Sequence, residues 1–158
     1  MSPTRPSARP TVDVRRSTLV GVLLGLGTVA FVDEAVFHQI LHWHHFYDRS
    51  TPDWGLVSDG LFHAFSVACL VGGFFLFSDL RRRDAVSKLH QAAGYCLGVG
   101  GFQLYDGLVQ HKWWGLHQIR YGVEITPYDV AWNVVAGAVL VLGVVLLLRA
   151  RRRTAAPA

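Results

Sequence analysis

Four apolar runs, each close to the length needed to cross a bilayer, limit what this chain can fold into: Thr18 to His42, Gly60 to Phe77, Ala92 to Val109 and Val130 to Leu148. A spanning helix needs roughly 20 mostly apolar residues. Within hydrocarbon no water is available to satisfy backbone N–H and C=O groups, so such runs become helices. The 158 residues therefore predict an all-α fold, an integral membrane four-helix bundle. Residues 1–16, rich in Pro, Arg and Ser, are expected to form a disordered basic tail, residues 17–150 the transmembrane domain and residues 151–158 a second basic tail. A signal peptide competes for the first run, with Ala30 among the small residues near its end. The run continues into a patterned segment that recurs later in the chain, which argues against cleavage.

A net charge of +4 would suit a nucleic-acid partner, but its placement does not. Twelve of the fifteen basic residues fall in three clusters: Arg5, Arg9, Arg15 and Arg16; Arg81, Arg82, Arg83 and Lys88; Arg149, Arg151, Arg152 and Arg153. The clusters precede the first run, join the second to the third and follow the fourth. The positive-inside rule then predicts that both termini are cytoplasmic. Arg49, Lys112 and Arg120 are left for the outer side, together with all five tryptophans, as in an interfacial aromatic belt. Cys69 and Cys96 lie inside apolar runs without a CxxC partner and read as small packing residues.

The chain repeats itself. Gly25, Gly27 and Asp33 align with Gly98, Gly100 and Asp106; His38 then aligns with His111 and His44 with His117. In the second and fourth runs Asp59 pairs with Asp129, and His63 with Asn133. Two helical hairpins, residues 17–79 and 89–150, would be related by a pseudo-twofold axis along the membrane normal. Glycines in the first and third runs would let those helices approach closely.

Seven of the eight histidines lie toward the outer side: His38, His42, His44, His45, His63, His111 and His117. At about 1.5 Å of rise per residue, Asp33 and Asp106 sit roughly 7 Å deeper than His38 and His111. Asp59, His63, Asp129 and Asn133 descend into the same layer on the second and fourth runs. On α-helical angles His38 shares a face with His45, flanked by Glu34 and His42, while Asp33 shares a second face with His44, and Asp106 with His117. His42, Trp43, His44 and His45 form an interfacial run, part of it solvated, and His90 lies at the opposite interface.

Ionisable groups inside a membrane cost about 2.5–3.5 kcal/mol each at a helix centre and ordinarily face a functional site. A transition metal is the first expectation, since imidazole with carboxylate suits zinc, copper(II), iron or manganese. His38, His63 and His111 are the leading ligands, then Asp59 and Asp129, with Asp33 and Asp106 orienting the imidazoles. His42, His45 and His117 complete the candidate set. The alternatives are a redox enzyme with b-type haem between His38 and His111 or a two-metal centre, a proton- or ion-conducting component, and a purely structural His/Asp girdle. The lipid bilayer is the expected partner, with a respiratory or metal-handling membrane complex beside it. An alternating-access carrier would need a homodimer.

Over Phe31–His45, Asp59–His63 and Tyr105–His111 the chain resembles an uncharacterised bacterial membrane family, the domain of unknown function twenty-two forty-three. The likeness covers about residues 17–150 and implies four helices in a bacterial cytoplasmic (inner) membrane; it implies no activity. Where the family usually has Asp-Gly this chain has Asp33-Glu34, which leaves Glu34 as an extra ligand. Where the family often has paired histidines the chain has His117-Gln118, which removes Gln118 from the candidates.

Overall fold

A computed structural model describes residues 11–155; the first ten residues of the expected N-terminal tail and the last three of the C-terminal tail lie outside it. The chain is all-α. Helix α1 spans Val14–Asp33 and passes without a break into a π-helical segment, Glu34–Ile40. Helix α2 spans Pro52–Arg82. Helix α3, Lys88–Leu104, runs into a second π-helical segment, Tyr105–Trp113, and α4 spans Thr126–Ala155. Asp13 caps α1 by accepting the Arg16 amide at 3.0 Å, a contact of about 1 kcal/mol. Pro52 opens α2, where its missing N–H costs nothing.

Among the described residues, three helical stretches are long and apolar enough to cross a membrane: Val14–Ile40, Pro52–Arg82 and Thr126–Thr154. The expected third span is not among them. Its place in the fold supplies the reason. Helix α3 packs against both α1 and α4, and its contact with α1 is the most extensive in the molecule. A helix covered on two sides by protein can carry Gly, Gln and Asp where a lipid-facing helix needs Leu and Val. Helix α2 packs on α1 and α4 on α3, while the backbones of α2 and α4 do not approach each other.

Small residues set the α1–α3 distance. A Cβ added to Gly25 would land on the Tyr95 carbonyl oxygen, and one on Gly98 on the Val22 carbonyl oxygen. Gly21 meets Gln91 and Gly94 meets Thr18 in the same way. Each helix thus carries a Gly-x-x-x-Gly pair against the other's backbone, the arrangement by which membrane helices gain dispersion contact without a hydrophobic driving force.

The distribution of polarity is inverted relative to a water-soluble domain. Phe74, Phe75, Leu61, Val134, Val135 and Val141 are each at least 60% exposed, whereas Asp33, Glu34, His38, Asp59, Asp106, His111 and His117 are at most 3% exposed. Large apolar side chains on the outside of α2 and α4 suit hydrocarbon, and the buried polar layer at one end of the bundle marks the site.

Candidate metal centre

The two π-helical segments create the site. In a π turn the i→i+5 hydrogen bond brings residues five apart onto one face, where an α-helix would rotate them away from each other. Asp33 and His38 are five apart, and so are Asp106 and His111. The first segment ends when Leu41 N–H donates to the Val36 carbonyl at 2.9 Å and Trp43 N–H to the Phe37 carbonyl at 2.9 Å. The second ends alike: Trp114 N–H donates to Val109 at 2.7 Å and Leu116 N–H to Gln110 at 2.9 Å. The turn out of the first helix passes through His42 at φ 49° and out of the second through Gly115 at φ 58°. After each turn the chain folds back over the helix end, so His44 and His117 come down on the cluster as loop residues.

His42 itself is exposed. A non-glycine residue in the left-handed region costs about 1–2 kcal/mol, against roughly 0.5–1 kcal/mol for the extra chain entropy of glycine. His42→Gly is therefore expected to raise the melting temperature slightly or leave it unchanged, with metal content unaltered; differential scanning fluorimetry and elemental analysis check both.

Four imidazoles are held in fixed orientation. The His44 Nδ1–H donates to the Ile119 carbonyl at 2.9 Å, and the His117 Nδ1–H to the Phe46 carbonyl at 2.8 Å. Each loop thus anchors the histidine of the other. The two rings stack with centroids 4.6 Å apart and planes 6° from parallel. The His38 Nδ1–H lies 2.9 Å from Asp59 Oδ1 and 3.0 Å from Glu34 Oε2. Asp59 also accepts from the His45 ring at 2.6 Å and the Phe46 amide at 2.7 Å, so it ties the first loop to His38. Carbonyls and carboxylates only accept, so Nδ1 carries a proton in His38, His44 and His117, and in a neutral ring Nε2 is the nitrogen left with a lone pair.

Those Nε2 atoms have no partner. His38, His44, His117 and His111 all present a buried, unpaired Nε2, joined by Asp33 Oδ1 and Asp106 Oδ2. His111 Nε2 and Asp106 Oδ2 stand 3.0 Å apart without hydrogen-bond alignment. His117 Nε2 is 3.6 Å from Asp106 Oδ1, which accepts from Gln110 Nε2 at 3.0 Å. Leaving one such group unsatisfied costs about 1–3 kcal/mol, so a convergent set calls for a common partner. Burial, then the neighbouring rings of His117, His38 and His111, push the His44 pKa down to about 2, which keeps that loop imidazole neutral. The donor atoms of His44, His111 and His117 lie within 4.8 Å of one another, as do those of Asp33, His38 and His44, and those of Glu34, His38 and Asp59. Imidazoles oriented through Nδ1, as in His38, His44 and His117, with carboxylates beside them, are suited to offer Nε2 to a transition ion.

A family model described as "Predicted membrane protein (DUF2243)" matches residues 20–150. The chain belongs to this family. No curated protein and no solved structure matches it. In this DUF2243 protein the buried layer gathers Asp33, Glu34, His38, Asp59, Asp106, His111 and His117 from the sequence-derived candidates and adds His44.

Other candidates lie elsewhere. His63 is exposed on α2 with its ring 5.3 Å from Phe31. Asp129 forms an ion pair with Lys112. His45 is half-buried and reaches the layer only through Asp59. His90, at the far end of the DUF2243 bundle, bonds Ser87 Oγ at 2.8 Å. The signal that could have singled out His44 was its alignment with His117, which pairs two histidines at one position of the repeat.

Proposed function

We propose that this membrane protein binds a transition metal through its buried imidazoles, with Asp33 and Asp106 as carboxylate donors and Asp59 orienting His38. The observation that carries the proposal is the convergence of four unpaired Nε2 atoms, three of them on rings whose Nδ1–H is already committed. Nitrogen and oxygen donors without sulfur favour zinc, copper(II), iron or manganese. The space between His38 and His111, the pair read as haem ligands, is occupied by the stacked rings of His44 and His117, 4.4 Å from His38 and 4.7 Å from His111 respectively, which favours a bare ion over haem.

With the basic clusters in the cytoplasm, the layer lies near the outer face of the cytoplasmic membrane, where the ion is met from outside. The crossed anchoring of His44 and His117 and the two equivalent glycine pairs support descent from a duplicated hairpin. A centre of this kind would hold or hand over metal for a membrane complex, or carry chemistry of its own. Untagged protein, stripped with chelator and titrated with zinc, is expected to bind it at or below micromolar concentration. A metal excess of 100 times Kd adds about 2.7 kcal/mol to stability, a rise in melting temperature of several degrees. An unchanged melting curve with no bound zinc would end the proposal.

A further inference from the structure

The buried donors fall into two sets that a single ion cannot join. Metal–nitrogen bonds of about 2.0–2.1 Å allow two ligands of one ion to stand no more than about 4.2 Å apart. The donor atoms of Asp33, His38 and His44 lie within 4.8 Å of one another, and so do those of His44, His111 and His117, but among the described residues no such set holds both His38 and His111. Asp106 belongs with the second set, 3.0 Å from His111 Nε2 and 3.6 Å from His117 Nε2. The rings stand 4.4 Å apart for His38–His44 and 4.7 Å for His111–His117; across the sets His44–His111 and His38–His117 are 6.1 and 6.2 Å apart, and only the stacked His44 and His117 rings, at 4.6 Å, bridge them.

We infer that the centre holds two metal ions, one on Asp33, His38 and His44 and the other on Asp106, His111 and His117. This rests on the metal-binding reading above and extends it. Each ion would have two imidazoles and one carboxylate from the protein, the donor set of sites that keep coordination positions open for an exogenous ligand. The stacked His44–His117 pair lies at the junction.

The two halves are not equivalent. His38 is backed by Asp59 and Glu34, whereas His111 Nδ1 has no partner, Gly107 stands where Glu34 would be, and Asp129 is taken by Lys112. A carboxylate behind an imidazole raises its basicity and its hold on a metal. The Asp33–His38–His44 site is therefore the tighter of the two.

The test is zinc stoichiometry on chelator-stripped, untagged full-length protein in detergent, by equilibrium dialysis and elemental analysis. Zinc serves because it takes imidazole and carboxylate alike and has no redox chemistry. The expected result is two zinc ions per chain, bound in two steps. His38→Ala should remove the tighter step and His111→Ala the weaker, each leaving one ion. One ion per wild-type chain would overturn the two-ion inference and leave metal binding standing; none would overturn both. The wild-type count holds as a test even if a variant fails to fold.

Discussion

Gly98→Leu is expected to leave no folded monomer in detergent, while Gly101→Leu, three residues further along α3, melts like the parent. The contrast follows from what a side chain would meet at each place. At Gly98 the new Cβ falls on the Val22 carbonyl oxygen and within 2.8 Å of the Leu26 nitrogen, both backbone atoms of α1 that cannot move without shifting the helix. Ordinary overpacking costs about 1–3 kcal/mol, where side chains can give; here only separation of the helices makes room. Separation also dismantles the site, because His44 is anchored to Ile119 and His117 to Phe46 across the same interface. At Gly101 a Cβ meets nothing within 4 Å. Size-exclusion profiles and tryptophan-fluorescence melts of the two variants make the comparison. Equal behaviour would mean that α1 and α3 do not pack through their glycines.

The second large effect is expected at the stacked loop histidines. His44→Ala together with His117→Ala should lower zinc affinity by more than about 100-fold, since partners that merely orient ligands are already worth 10–100-fold. Each ring lends a direct donor, and His44 lies within reach of both ligand sets. The change also strips the hydrogen bonds that hold the Ile119 and Phe46 carbonyls, so the loops should loosen and the melting temperature of the metal-free protein should fall by a few degrees. His63→Ala makes the matched control, being exposed on α2 beside Phe31. If the His63 variant loses metal and the double variant keeps it, the ligands have been misassigned.

Much of this architecture is legible in the residues. Apolar runs announce α1, α2 and α4, and the repeated Gly–Asp–His spacing points to one depth for Asp33 and Asp106 and another for His38 and His111. Three features leave no comparable trace. A π turn adds a residue per turn without altering composition, so α-helical angles separate Asp33 from His38 and place His45 on the His38 face. The helix end at Ile40 and the left-handed turn at His42 carry His44 off the helix, and neither Gly nor Pro marks that turn. Helix α3 lacks the apolar signature of a span because it carries Gly and Gln where it packs between α1 and α4. His63 and Asp129 turn away from the buried layer, because counting residues gives an expected depth while direction depends on the packing of α2 on α1 and α4 on α3.

The most direct measurement is an X-ray absorption spectrum at the edge of whichever metal accompanies the untagged protein, or of zinc after reconstitution. The account predicts a first shell of nitrogen and oxygen at about 2.0–2.1 Å, with the outer-ring scattering of at least two imidazoles per metal and no sulfur. A protein that holds no metal, or one whose metal is surrounded by water or sulfur alone, would contradict it.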